Sequence, residues 1–535
     1  MADNKGQNYL HGAAILTAGV LIMKVLGFIY KVPIGNIIGD DGYSMFLATY
    51  NVYNVFLTLA TAGLPIALSR LISEANAEGR PMQARRTFSV AWMSFFVIGL
   101  ICTLIMYIFP YQIAEKVLHN PPAAMSIRAM SPAVLLVCLI SAYRGYCQGF
   151  GNMIPTTVGQ VLEVLIKVIV GLALAAFIMK AGLGKAMGSA GAIFGVVAGS
   201  LAALIYMVIY KKRHYAEEKL ENPDVPDSHS SIFSHFMRIG IPIALGSCVL
   251  AFLNLVDSSL CMGRLQNAAG FSLEEAQTLY GVYGKAQTLF NLPAAIITPL
   301  TISVVPAIAS AIVRGEDDEA TKISEDSMRI ATVLCLPMGV GLAVLAEPIM
   351  KVIYPGSHVS GPVLLAIMGV AAFFVCIVLM ENAILQASGK EVLPMYTMIV
   401  GGLIKIIVNW FLVANPDINI YGAPIRTLVS YLVMCIMNFV FMCVVLDKNP
   451  RVRVILVRPL ICSVLMGLCA WGVYGLTGQL LGHGGRLSML LGMGLAMLAA
   501  IIIYTVSAIV MRSVTKEDMK LIPGGEKIAR VLHMR

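Results

Sequence analysis

The chain has 535 residues, 58% hydrophobic and only 13% charged, with a net charge of +9. Soluble proteins of this size carry about 25% charged residues, so the composition excludes a water-soluble globular protein. A transmembrane barrel would show alternating strands of about 10 residues; here apolar runs of about 18 residues or more recur from end to end, each long enough to cross a bilayer as a helix.

The fold class is therefore an all-α polytopic membrane protein. Fourteen transmembrane helices are expected, at about 11–35, 43–65, 87–110, 124–147, 153–179, 187–210, 233–258, 278–305, 328–348, 361–386, 392–414, 421–446, 455–478 and 486–511. The first is interrupted by Lys24 and lacks a small-residue cleavage site after its apolar core, so it reads as a span and not as a signal peptide. Residues 211–232, with Pro223 and Pro226, read as a cytoplasmic linker. Residues 512–535 read as a tail. No connection exceeds about 25 residues, too few for a soluble domain.

Lysines and arginines crowd alternate connections, about 23 against about six, which places both termini in the cytoplasm of a bacterial cell. This bias reads as topology and contact with anionic membrane lipids, and no nucleic-acid partner is expected. The eleven cysteines contain no C-x-x-C pair and read as packing residues. The eight histidines, His119 and His483 among them, show no metal-ligand spacing, and no G-x-x-x-x-G-K-[ST] site for ATP is present. No metal or cofactor is expected.

A phrase recurs. Gln148-Gly149-Phe150-Gly151, Pro155 and Lys167 return 238 residues on as Gln386-Ala387-Ser388-Gly389, Pro394 and Lys405. This divides the chain into six-helix halves at 1–210 and 233–446. Six is even, so both halves enter the membrane from the same side and are parallel repeats about an axis along the membrane normal. Helices thirteen and fourteen, at 455–511, lie outside the repeat.

Charge inside the spans is the functional lead, because a lysine or acid at the bilayer centre costs about 2.5–3.5 kcal/mol. Lys24 and Lys31 are seven residues apart and share a helix face. Glu163 and Lys167 are four apart, a spacing that predicts an ion pair. Lys405 repeats Lys167, but Gly401 stands where Glu163 would recur, and Glu381 is the expected partner across helices. Arg144, Asp257, Arg264, Lys285 and Arg426 lie nearer span ends. Cations outnumber acids, which suggests an anionic cargo such as a phosphate or pyrophosphate head group.

The opening Lys24-Val25-Leu26-Gly27-Phe28 and the phrase Tyr143-Arg144-Gly145-Tyr146-Cys147-Gln148-Gly149 with Pro155 resemble the MOP (MATE-like) flippase superfamily. Within it, the chain is similar to the polysaccharide-biosynthesis branch of SpoVB/YtgP and MurJ-type proteins. The resemblance implies a V-shaped pair of bundles. It implies alternating-access transport of an undecaprenyl-pyrophosphate-linked precursor, most simply lipid II, for peptidoglycan synthesis and cell shape. The two extra helices would take the polyprenyl tail. Lys24 fills the position of a family arginine; a second falls at Tyr30, beside Lys31; a third matches Lys285 loosely.

Substrate contacts are thus expected from Lys24, Lys31 and Lys285, with Arg144, Lys167 and Lys405 nearby. Three other readings stand beside this one. A cation-coupled MATE-like exporter would use Glu163, Asp257 and Glu381 as its ion site. A flippase would serve another polyprenyl-linked polysaccharide unit. A glycosyltransferase would need external acids, for which only Asp40-Asp41 stands ready. A partnership with cell-wall synthesis or sporulation machinery is the further expectation.

Overall fold

The computed structural model describes residues 2–214, 224–446, 453–481, 485–511 and 513. The expected tail lies outside these residues except for Ser513, as do residues 215–223 of the expected linker. Among the described residues every regular element is a helix, and thirteen are long and apolar enough to cross a membrane. The first of these, Ile22–Ala77, covers 56 residues and contains two of the expected spans.

The chain packs as two compact units, Met1–Gly281 and Val282–Arg535. The first holds α1 (Ala2–Thr61), α2 (Leu64–Ala77), α3 (Pro81–Ile108), the single turn α4 (Pro110–Gln112), α5 (Ala124–Gly149), α6 (Ile154–Lys180), α7 (Lys185–His214), α8 (His229–Asn267) and the start of α9 (Leu273–Val313). The second holds the rest of α9, then α10 (Asp317–Val344), α11 (Ala346–Ile353), α12 (Gly361–Ala387), α13 (Val392–Leu412), α14 (Gly422–Val445), α15 (Arg458–Leu481) and α16 (Arg486–Val510). Helix starts recur at intervals of 236–238 residues: Pro81 and Asp317, Ala124 and Gly361, Ile154 and Val392, Lys185 and Gly422.

Two features of the first unit differ from expectation. A connection was expected between the first two spans. Instead α1 is broken only at Gly39, whose φ of 73° suits a residue without a Cβ, and the helix resumes at once. Asp41, just past the break, is buried and bonded to Lys185 Nζ at 2.6 Å and to the Thr278 hydroxyl. The acidic pair that a glycosyltransferase would have needed thus has one member committed to a structural ion pair. Second, α8 packs against α1, α2 and α3, inside the first compact unit.

In lipid, helices gain little from apolar burial and associate by close van der Waals contact through small residues. The α6–α7 pair shows this. The buried face of α6 is Pro155, Thr156, Thr157, Gly159, Gly171 and Ala175, while Leu165, Ile169 and Phe177 face outward. A Cβ on Gly195 would sit 2.6 Å from Gly171 Cα, and one on Gly199 would sit 2.2 Å from the Glu163 carbonyl oxygen. Only glycine lets these backbones meet, and the contact sets Ser200 beside Glu163.

Candidate functional site

The α5, α6 and α7 helices converge on Glu163. Arg144 Nη2 donates to its Oε2 at 2.9 Å, and the Ser200 hydroxyl donates to its Oε1 at 3.1 Å. Both ionic side chains are largely covered, at 15% and 19% exposure. The ion pair expected between Glu163 and Lys167 is therefore corrected. The carboxylate is turned across helices to α5 and α7, because a guanidinium there offers a shorter, charge-assisted bond than the helical neighbour four residues on. Glu163 still lies within electrostatic reach of Lys167.

The lysines gather on the other side of this pair. Lys167 and Lys24 both lie within electrostatic reach of Lys31, as two-turn spacing along α1 and α1–α6 packing dictate. Lys31 and Lys167 are partly exposed and Lys24 is open. Lys167 Nζ stands 5.7 Å from the centre of the Tyr30 ring. Tyr30 is buried, and its hydroxyl donates to the Ala192 carbonyl at 2.6 Å. At the position where the resemblance placed a second cation, the chain therefore has a packed ring, and the next residue, Lys31, supplies the charge. Among the described residues no carboxylate lies within ion-pair distance of Lys24, Lys31 or Lys167. Three cations without a bridging acid form a site for a multiply charged anion.

The remaining expected residues lie elsewhere. In the first unit Asp257 is buried on α8. In the second, Lys285 is buried with Nζ 5.2 Å from the Tyr354 ring centre, and Arg426 is buried 5.6 Å from that of Tyr283. The structure thus covers Lys285, which was expected to face cargo. Lys405 on α13 is partly exposed. Glu381, its expected partner, is fully buried on α12, where Cys435 Sγ donates to Oε1 at 3.7 Å and Asn438 lies beside it. Lys405 is not among these neighbours, and Glu381 Oε2 has no hydrogen-bond partner among the described residues.

Sequence reasoning missed Tyr30, Ser200, Tyr354 and Tyr283. A ring under a cation leaves no spacing signature, because the two groups come from different helices. Ser200 was findable only through the pattern Gly195-x-x-x-Gly199, which marks the α7 face that approaches α6.

Residues 9–312 match the polysaccharide biosynthesis protein family. Stage V sporulation protein B of Bacillus subtilis is 26% identical over 531 residues, covering 97% of this chain and 98% of that protein. The lipid II flippase MurJ of Bacillus subtilis is 26% identical over 453 residues, covering 81% of this chain and 82% of that protein. A solved structure of lipid II flippase MurJ in an inward closed conformation shares the fold, with a TM-score of 0.70 at 14% identity over 93% of this chain and 98% of that one. These relatives are named as flippases and a sporulation protein, not as enzymes.

Proposed function

The chain belongs to the polysaccharide biosynthesis protein family, and from that premise we propose that it is a flippase for an undecaprenyl-pyrophosphate-linked cell-wall precursor, lipid II in particular. The observation that carries the reading is the group of Lys24, Lys31 and Lys167, whose nearest acid, Glu163, is occupied by Arg144 and Ser200. A pyrophosphate brings the negative charge this group lacks, and the ammonium groups bind it as point charges. The near-constant interval between helix starts supports fourteen spans arranged as two six-helix repeats, 1–210 and 233–446, plus two further helices at 455–511. Both termini would lie in the cytoplasm, with residues 211–232 as linker. Alternating access of the two repeats would carry the head group, with Lys285, Lys405 and Arg144 engaged or bracing as the cavity changes shape.

The test is complementation. A strain depleted of its own lipid II flippase should regain growth and a normal lipid II pool when this chain is expressed. The Lys24→Ala and Lys31→Ala variants, inserted to the same level, should leave lipid II accumulating. Translocation at the wild-type rate in both variants overturns the reading.

A second reading, a cation-coupled exporter, is favoured by one observation: the buried Glu381 with a carboxylate oxygen that lacks a hydrogen-bond partner among the described residues. Extrusion of a cationic dye that is abolished by Glu381→Gln would replace the first reading with this one.

A further inference from the structure

Away from the three lysines, the first unit has a recess where α3 begins and α5 and α7 end. Its volume is about 300 Å³, the lower end of the range for small-molecule sites. Arg80, Arg85 and His214 line it together with Tyr146, Phe150 and Gly79. Lys211 stands at its edge, with Nζ 3.5 Å from the Phe88 ring centre and 4.8 Å from that of Tyr146. Tyr146 in turn packs edge-on against Phe150.

The charges are arranged unevenly. On one side, Arg80 is held by Asp227 at 3.2 Å, Glu78 at 3.6 Å and Asp224 at 3.8 Å. On the other, Arg85 and Lys211 lie within electrostatic reach of each other. Two like charges held together beside aromatic rings repel, and an anion seated between them relieves the repulsion. The His214 ring is stacked on Tyr210, with Nδ1 3.1 Å from the Tyr210 carbonyl oxygen. One turn or two before Lys211 and His214, Ile205 and Ile209 are exposed apolar residues facing lipid. The recess therefore lies at head-group level, and the positive-charge bias puts that level on the cytoplasmic leaflet, where anionic lipid is concentrated.

We propose that this recess binds a phosphate-bearing group, with Arg85 and Lys211 on the phosphate oxygens and the Tyr146–Phe150 surface under the adjoining carbon atoms. The ligand chemistry is a phosphate ester: the head group of an anionic lipid, or a soluble phosphate compound drawn from the cytoplasm. The site is separate from the Lys24–Lys31–Lys167 group, and its volume admits a head group but not a lipid-linked saccharide.

The experiment uses the full chain, purified in a neutral detergent, with phosphatidylglycerol titrated in and retention read by native mass spectrometry. The wild type should retain phosphatidylglycerol about tenfold more tightly than the double variant Arg85→Gln/Lys211→Gln. Arg85→Lys/Lys211→Arg, which keeps both charges, should match the wild type, and so should Lys31→Ala, which separates this site from the proposed translocation site. Inorganic phosphate distinguishes the sources: competition at millimolar concentration assigns a soluble ligand, and none assigns the lipid. Equal retention by the wild type and the Gln double variant overturns the proposal, as does equal retention of phosphatidylcholine by the wild type. Should the Gln variant fail to fold, His214→Gln with Lys211→Met replaces it under the same criterion.

Discussion

In the first unit α5, α6 and α7 meet at Arg144, Glu163 and Ser200, a charged set. The corresponding positions of α12, α13 and α14, 238 residues on, are Asn382, Gly401 and Asn438. There Asn438 Nδ2 donates to Asn382 Oδ1 at 2.9 Å, and no charge is involved. The helices keep their register while the polar chemistry changes as a set. A glutamate at 401 without an arginine at 382 would be an uncompensated ion in a medium of low dielectric. An arginine at 382 alone would be no better. The difference teaches that Arg144–Glu163 is one unit. By satisfying the acid, that unit leaves the charge of Lys167 facing Lys31 and Lys24.

The comparison breaks or sharpens most clearly at Arg144. Arg144→Ala leaves Glu163 largely covered and unpaired, and should cost about 3 kcal/mol of stability. The triple variant R144N/E163G/S200N installs the chemistry of the second set and should recover most of that loss in a thermal unfolding assay. A triple variant no more stable than R144A would show that the two sets are not interchangeable units.

Next in size is the glycine contact. Gly199→Ala drives a Cβ to 2.2 Å from a backbone oxygen and should cost about 2 kcal/mol. Gly401→Ala meets Met434 Sδ at 2.3 Å. That is the movable end of a thioether side chain, so the cost should stay below about 1 kcal/mol. Equal losses in proteolytic stability would dissolve the distinction between the two helix pairs.

A third test separates the two repeated lysines. Lys167→Ala should slow translocation of fluorescent lipid II in vesicles about tenfold, equivalent to about 1.4 kcal/mol. Lys405→Ala should slow it less than about threefold, the equivalent of about 0.7 kcal/mol. Equal effects would make the repeat functionally symmetric. Smallest of all, Asn382→Ala removes a neutral hydrogen bond and should cost about 1 kcal/mol, with translocation by the folded protein unchanged.

The helices were legible in the sequence because bilayer thickness imposes a length that composition alone reports. Pro155 and Pro394 likewise fall at the helix starts, where a missing N–H costs nothing. The cationic character of the site was legible because mid-span lysines are rare and costly. The partner of Glu163 was not. The rule of four residues sees one helix, and the guanidinium that wins comes from the preceding one. The break in α1 was also hidden. Gly39-Asp40-Asp41 has the composition of a loop, and only the burial of Asp41 against Lys185 and Thr278 keeps it helical.

That break gives α1 two arms joined at one pivot. The upper arm is bolted through Asp41; the lower carries Lys24 and Lys31. A glycine turns about its own backbone bonds at little steric cost. The lower arm can therefore swivel like a crank, swinging both ammonium groups through the same arc while the bolt above stays shut. Loading and unloading of an anion would then need the rotation of one peptide, not the rearrangement of a bundle.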